Sequence, residues 1–453
     1  MAAPMPETHP PRPDDAVPEL APLGVADSAL VAGRVLLPLT SRGAIARRPA
    51  VMRWLERRDL DRGAIETLRR MRDEHGSGPL RLRLPGRALA VVLDPDDARR
   101  ILAGTPEPFA TENLEKRAAL RQFQPHNSLI SHPPERGARR EFQERALRSE
   151  ELFHPLAGRI AEVVEQEAGA LAELTGALGH LDWDDFVPAW YRIVRRVVLG
   201  DLARDDHRLT DDLAALRERA NLSYLAPVDR GTRERFQRRL AQHLDRAEEG
   251  SLAATIRELD EHDVDPAEQV PQWLFAFEPA GIAVFRTLAL LATHGPPQAG
   301  QAAGPASDGP VPLHGDLRAA VLESLRLWPT TPAILRDTTE PTEWRGRRLP
   351  AGTGLLLFAP LLHRDPDIVP QPDAFRPERW DPTRVRDEAH EPLVPFSAGP
   401  GTCPGRNLVL LTCSLTLHHL QQRLDVALED PGRLDPGAPL PSMLDPFTLR
   451  FRT

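Results

Sequence analysis

Apolar positions recur at helical spacing through most of this chain and alternate at strand spacing in only a few short places. Residues 50–74 read as one helix. The alternating run from Leu80 to Leu84 and the apolar run from Ala88 to Leu93 suit a small sheet. Helical periodicity then dominates residues 133–294, ending in a long apolar stretch from Gln272 to His294. Residues 317–327 form another helical run. A second β-rich patch covers residues 342–349 and 354–358, a third covers residues 446–451, and an apolar helix begins at Arg406. The pattern predicts a mainly α body with small β-sheets and no internal repeat.

Two segments break the pattern. Residues 1–25 are Pro-rich and acidic and are expected to be a disordered tail, leaving a single domain over 26–453. Residues 295–312 are rich in Gly, Pro and Ala, cannot hold a helix, and read as a flexible surface loop within that domain. The 453 residues are 41% hydrophobic and 27% charged with a net charge of −9, which argues against a nucleic-acid partner. Lys116 is the sole lysine in an Arg-rich chain, so arginine abundance alone carries little functional weight. The amino terminus shows neither a long apolar run nor the pattern of a signal peptide, so a soluble, cytoplasmic protein without membrane contact is expected. Two cysteines, Cys403 and Cys413, give no disulfide framework, and Cys413, inside an apolar helix, reads as a small core residue.

Cys403 is different. It lies in Phe396-Ser-Ala-Gly399-Pro-Gly-Thr-Cys403-Pro-Gly405, the kind of shell a metal-binding thiolate needs. Gly399 and Gly405 let backbone fold tightly around the sulfur, and Phe396 would keep water from it. The helix after it would aim its N-terminus at the sulfur and favour negative charge there. The stretch resembles the haem loop of the cytochrome P450 superfamily, F-x-x-G-x-x-x-C-x-G, at all its fixed positions. The resemblance implies the P450 fold and haem b, iron protoporphyrin IX, with Cys403 as axial metal ligand.

Further motifs extend it. Glu323 and Arg326, at i and i+3 on one helix face, together with Arg379 in Phe375-Arg-Pro-Glu-Arg-Trp380, match the family's structural network behind the haem. For the haem propionates the resemblance supplies Arg136, Arg140 and Arg336, with Arg136 standing at a usual His; Gly401 stands where relatives carry His or Arg. In the oxygen-activating helix it places Glu278 at the acid position and Pro279 at the alcohol position of the proton relay. An alternative register puts Ala283 and Val284 there and removes both groups. Proline has no N–H, so it frees the Phe275 carbonyl, should kink the helix, and could let a water replace the hydroxyl.

The walls above the haem correspond to residues 121–130, 187–225, 273–280, 332–335 and 442–446. Phe275, Phe277, Ala333, Ile334, Met443 and Leu444 would face a lipophilic ligand, and no charge cluster there demands an anionic one. No flavin or nicotinamide fingerprint is present, so electrons are expected from a ferredoxin and its reductase, docking near Cys403 with Arg139 and Arg406 contributing. The implied activity is a monooxygenase that hydroxylates or epoxidises a lipophilic secondary metabolite with O2. Because Pro279 replaces the usual Thr, peroxide-driven oxidation, or rearrangement or coupling without net oxygen insertion, stands as an alternative. A non-catalytic haem-binding protein is the third reading.

Overall fold

The computed structural model describes residues 17–259, 263–296, 309–381 and 393–453. Its centre is the helix Val270–His294, mostly apolar and buried along most of its length. A stretch this long and apolar could cross a membrane by composition alone, yet 78% of its most apolar window is buried inside the fold. Around it pack Trp183–Leu199, Gly315–Leu327 and Arg406–Arg423, which share one large hydrophobic core. Trp190 ties two of these together: its indole N–H donates to the Phe277 carbonyl at 2.7 Å. Gly281 makes the approach possible, since a Cβ there would lie 2.7 Å from Trp190 Nε1.

The strands are β1 (Leu80–Leu82), β2 (Leu89–Val92), β3 (Phe109–Ala110), β4 (His180–Asp182), β5 (Ala333–Thr338), β6 (Thr342–Trp344), β7 (Arg347–Leu349), β8 (Gly354–Phe358), β9 (Ala427–Leu428) and β10 (Arg450–Arg452). The main sheet has the order β1-β2-β8-β5-β3, with β2 and β8 parallel and the other pairs antiparallel. β8 is buried throughout, whereas β5 alternates, so Ala333 and Leu335 face one side and Ile334 and Arg336 the other. The fold is thus mainly helical with small sheets and a single domain.

Several sequence expectations change in detail. The helix expected over 50–74 is two, Pro49–Arg57 and Leu60–His75, broken where Asp59 turns left-handed (φ 46°) and accepts from the Ser442 backbone N–H at 3.0 Å. Helical residues 133–294 are interrupted by β4, which pairs with the C-terminal β10. β5 carried no strand expectation. Of the tail expected over 1–25, residues 1–16 lie outside the described residues, but 17–25 are held: Leu20 N–H donates to Arg348 O at 2.7 Å and Leu23 N–H to Arg81 O at 2.8 Å. Backbone pairing to existing strands fixes that segment despite its prolines. Of the loop expected over 295–312, residues 297–308 lie outside the described residues; beyond them Gly309 packs against Phe153 and Val311 is buried.

Asp182 closes β4 and starts the helix Trp183–Leu199 through a capping box, accepting from Asp184 N–H at 3.0 Å and Asp185 N–H at 3.1 Å. Asp182→Ala is expected to lower the unfolding free energy by about 1 kcal/mol, read by urea denaturation, with no effect on the cavities below.

Candidate functional site

The loop before Arg406–Arg423 is shaped by backbone bonds. Cys403 N–H donates to Phe396 O at 2.9 Å, Thr402 N–H to Gly399 O at 3.0 Å, and Arg406 N–H to Cys403 O at 3.3 Å. Gly399 is left-handed (φ 61°), and a Cβ there would sit 2.3 Å from Leu102 O, so only glycine fits. Gly405 differs: its φ is −90°, and a Cβ would meet only Leu147 at 3.8 Å. Any constraint on Gly405 therefore comes from what fills the space beside it and not from the turn.

Cys403 and Phe396 face a cavity of about 1390 Å³ of empty space between this loop and the Val270–His294 helix. Burial pushes the Cys403 thiol upward, while the Gly405 N–H and the charges of Arg140 and Arg406 pull it down. Cys413, on the following helix, is buried in apolar surroundings that raise its thiol above the ordinary range. Its sulfur approaches the Ala280 carbonyl at 3.8 Å.

At one edge of the loop stand cations without counter-ions. Arg336 donates to Thr105 Oγ1 and Ser397 Oγ, each at 3.3 Å, and has no carboxylate partner among the described residues. Burial and the neighbouring Arg136 charge push it down to about 10. Arg136, itself buried, donates to Thr111 Oγ1 at 3.2 Å. Lys116 spends its ammonium on Thr111 O (2.6 Å) and Leu335 O (3.1 Å), and burial next to Arg336 drives it well below a normal lysine. Asp337 and Glu115, the acids nearby, are taken by Arg87 at 2.6 and 2.8 Å. Gly401 is part of this arrangement, because a Cβ there would lie 2.7 Å from Arg336 Nη2. The missing side chain at 401 makes room for the Arg336 guanidinium. Arg140, by contrast, lines the cavity but is bonded to Glu144 at 2.6 Å. A thiol lining a large cavity, with uncompensated cations beside its loop, fits an iron porphyrin bearing two carboxylates.

Behind the loop, Glu323 and Arg326 are both fully buried and bonded in a fork, at 2.9 and 2.8 Å. Glu323 also accepts from Trp380 Nε1 at 2.9 Å and Arg376 N–H at 3.0 Å, with Arg379 Nε at 3.4 Å. Arg326 donates to the carbonyls of His363, Pro372 and Ala374 at 2.8–3.0 Å. The structure brings all three of Glu323, Arg326 and Arg379 together.

The helix above divides its faces. Ala276, Pro279, Ala280 and Ala283 line the Cys403 cavity, while Phe275, Glu278, Pro279 and Ile282 line a second cavity of about 1220 Å³. The two cavities share Phe275, Pro279, Thr330 and Thr331. Glu278 therefore does not enter the Cys403 cavity: it stands one face away and is ion-paired with the buried Arg217, whose guanidinium lies 4.8 Å from the Phe275 ring centre. In the alternative register, Ala283 faces the Cys403 cavity and Val284 is core. The helix is continuous from Val270 to His294, with Pro279 inside it.

The expected pocket residues separate. Phe275 and Ala333 line the second cavity, and Ile334 and Phe277 line the Cys403 cavity. Met443 instead lines a narrow crevice next to the second cavity, and Leu444 is core with its carbonyl bonded to Arg286 at 2.9 Å. The backbone turns at this point so that Leu444 points away. Sequence reasoning also missed Arg47, Arg217 and Arg286 at the cavities and the buried Lys116 beside Arg336. Only Lys116 carried a signal, as the one lysine in an arginine chain.

A family model described as Cytochrome P450 matches residues 317–443. Among curated proteins the chain is similar to a cyclooctat-9-en-7-ol 5-monooxygenase of Streptomyces melanosporofaciens, 39% identical over 23% of each chain. It is also similar to tabersonine 6,7-epoxidase isoform 1 of Catharanthus roseus, 36% identical over 26% of this chain and 24% of the relative. The chain thus spans about a quarter of the length of these relatives. Among solved structures, a retinoic acid bound cyanobacterial CYP120A1 superposes with a TM-score of 0.67 at 18% identity, covering 85% of this chain and 93% of that one. CYP175A1 from Thermus thermophillus superposes with a TM-score of 0.58 at 23% identity, covering 84% and 91%.

The two loop glycines give a direct contrast. Gly399→Ala is expected to lower the unfolding free energy by roughly 2–4 kcal/mol, from left-handed strain and the clash with Leu102. Gly405→Ala is expected to cost less than about 1 kcal/mol, both read by denaturant titration followed by circular dichroism.

Proposed function

The chain belongs to the cytochrome P450 superfamily, and on that footing we propose that it is a haem-thiolate monooxygenase that hydroxylates or epoxidises a lipophilic small molecule, with O2 as oxidant and electrons from a ferredoxin and its reductase. The observation that carries the reading is Cys403 lining a large cavity, with Arg336 bonded to Ser397 of its loop and Arg136 and Lys116 next to Arg336, all without matching acids. Cys403 would hold haem iron, and Arg336 and Arg136, with Arg140 nearer the thiol, would hold the propionates. When bound, haem supplies the activation of oxygen for transfer to an unactivated C–H or C=C bond. Glu323, Arg326 and Arg379 fix the chain that carries the cysteine loop and take no part in the chemistry.

The substrate sits in the second cavity against Phe275 and Ala333 and reaches past Pro279 and Thr331 toward Ile334. A secondary metabolite is the substrate class, in keeping with relatives named for oxidising cyclooctat-9-en-7-ol and tabersonine. Glu278 moves protons through water from its place beside Arg217, and the Phe275 carbonyl that Pro279 leaves without its helical donor holds one such water. Arg406 and Arg139 form part of the docking face for the electron donor. The protein works in the cytoplasm.

A second reading has its own observation. The helix face toward Cys403 is Ala276, Pro279, Ala280 and Ala283, with no hydroxyl or acid on it. That favours oxidation driven by hydrogen peroxide, or rearrangement or coupling without net oxygen insertion.

Purified protein, reduced and treated with carbon monoxide, is expected to show the red-shifted absorption of a thiolate-bound ferrous haem, and Cys403→Ser to lose it. The same spectrum from the Ser variant overturns the assignment. Glu278→Gln is expected to keep that spectrum but to lower product formed per electron consumed by about tenfold or more, the scale of a lost proton donor. Product yield with peroxide alone, set against ferredoxin, reductase and NAD(P)H, separates the two oxidants.

A further inference from the structure

Most polar groups that line the Cys403 cavity already have partners. Gln143 Nε2 donates to Ser128 Oγ at 3.0 Å and to Gln269 Oε1 at 3.1 Å, and Thr402 Oγ1 donates to Gly399 O at 2.7 Å. Ser397 Oγ accepts from Arg336, and Arg140 is ion-paired with Glu144. Trp273 stacks its ring on Phe142 and keeps its indole N–H buried. Thr330 and Thr331 stand where the two cavities meet, and a hydroxyl there can turn to donate or accept. Gln272 is held differently.

Gln272 lies in the first turn of the Val270–His294 helix and lines the cavity with Ala276, Pro279, Ala280 and Ala283, which share its helix face. Its side-chain oxygen accepts from Gln124 Nε2 at 2.5 Å, and its NH2 group has no partner among the described residues. Gln124 comes from the segment after the helix Leu114–Leu120, 148 residues away in the chain, and is fully buried. Its backbone is fixed on both sides, with its N–H donating to Leu120 O at 2.9 Å and its carbonyl accepting from Asn127 N–H at 3.4 Å. Next to it the Phe123 ring meets Phe275 edge-on at 5.9 Å. The side-chain oxygen of Gln124 is buried with no donor among the described residues, which is destabilising. The one hydrogen bond this side chain makes is the one that orients Gln272. An amide whose oxygen accepts a bond in a dry interior is polarised, and its own N–H becomes a stronger donor. The outcome is a fixed, unpaired donor on a helix face otherwise made of rings, alanines and proline.

We propose that Gln272 selects a lipophilic substrate carrying a neutral carbonyl group, a ketone, lactone or amide, whose oxygen accepts from the Gln272 NH2, with Gln124 as the positioning residue. This deepens the monooxygenase reading and rests on it. An analogue without that oxygen displaces water from the donor and leaves it unpaired, so it is disfavoured. The carbonyl is held toward the N-terminal end of the helix, about 10 Å along the axis before Pro279 at the usual helical rise. The rest of the molecule extends past Phe275, which lines both cavities, into the second one.

The test uses 2-adamantanone and adamantane, which share a cage and differ by one carbonyl, on the haem-loaded protein. In the infrared difference spectrum the C=O stretch of the bound ketone is expected below its value in hexane, the mark of an accepted hydrogen bond. Gln272→Leu is expected to return the stretch to the hexane value. The same variant is expected to weaken the ketone by about threefold to tenfold, the worth of one neutral hydrogen bond, and to leave adamantane unchanged, both read from the shift of the haem absorption band on titration. Gln124→Leu, which releases the Gln272 amide without removing it, is expected to move the stretch part of the way. Four results overturn the proposal: a native stretch at the hexane value, a lowered stretch that survives Gln272→Leu and so belongs to water or another donor, equal losses for ketone and adamantane, or no binding of the ketone. The native stretch stands even where a variant fails to fold. The carbon monoxide spectrum is read on the same sample, so loss of the haem-thiolate signature, which sinks the wider reading, is distinguished from a normal signature with an unbonded carbonyl.

Discussion

The Glu323 carboxylate is the point from which the Cys403 side of the molecule is hung. It has no exposure, and it is satisfied by the Arg326 fork, the Trp380 indole and the Arg376 backbone N–H. Arg326 in turn reaches three carbonyls in the segments 363–374. One of them belongs to His363, whose ring is kept neutral by burial, with its pKa pushed down to about 3. Because Val394 N–H donates to His363 Nε2 at 3.0 Å, Nδ1 carries the proton and donates to Arg326 O at 3.2 Å. The polar chain thus runs from one buried carboxylate to a residue two positions before Phe396. A buried charge pair adds little net stability over an apolar pair, but it permits one geometry only, and that restriction is passed to the segment leading into the cysteine loop.

The same cost of burying charge explains the opposite pattern elsewhere. Where Glu323 is saturated, Arg336, Arg136 and Lys116 at the loop edge and Arg47 and Arg286 at the crevice are left with carbonyls and hydroxyls. An interior tolerates such groups when a ligand completes them. Arg336 with Arg136 and Lys116, and Arg47 with Arg286, thus form two groups of buried cations with no carboxylate hydrogen-bonded to them among the described residues. Gly401 shows how closely the first is built, since the glycine is the space that the Arg336 guanidinium occupies.

The long helix shows how neighbouring positions on one element can serve two cavities. Its residues divide between two cavities, with Pro279 lining both and Glu278 turned to the second, against Arg217. The face toward Cys403 carries Gln272, aromatic rings, alanines and the proline, with no acid or hydroxyl.

Much of this was legible in the chain alone. The spacing from Phe396 to Gly405, the helix that follows, the Glu323–Arg326 pair at i and i+3, and the apolar helix ending at His294 are local patterns, and local patterns are set by backbone conformation and side-chain period. The requirement for glycine at 399 is of this kind in part, since its φ of 61° belongs to the turn, although the clash is with Leu102 almost three hundred residues away. What only the tertiary structure decided is which charges end up buried and unpaired. Arg47, Arg217 and Arg286 look like any other arginines in an Arg-rich sequence, and Leu444 looks as suited to a pocket as Met443. A charge's burial and pairing depend on segments brought together from distant parts of the chain, and no local period carries that information.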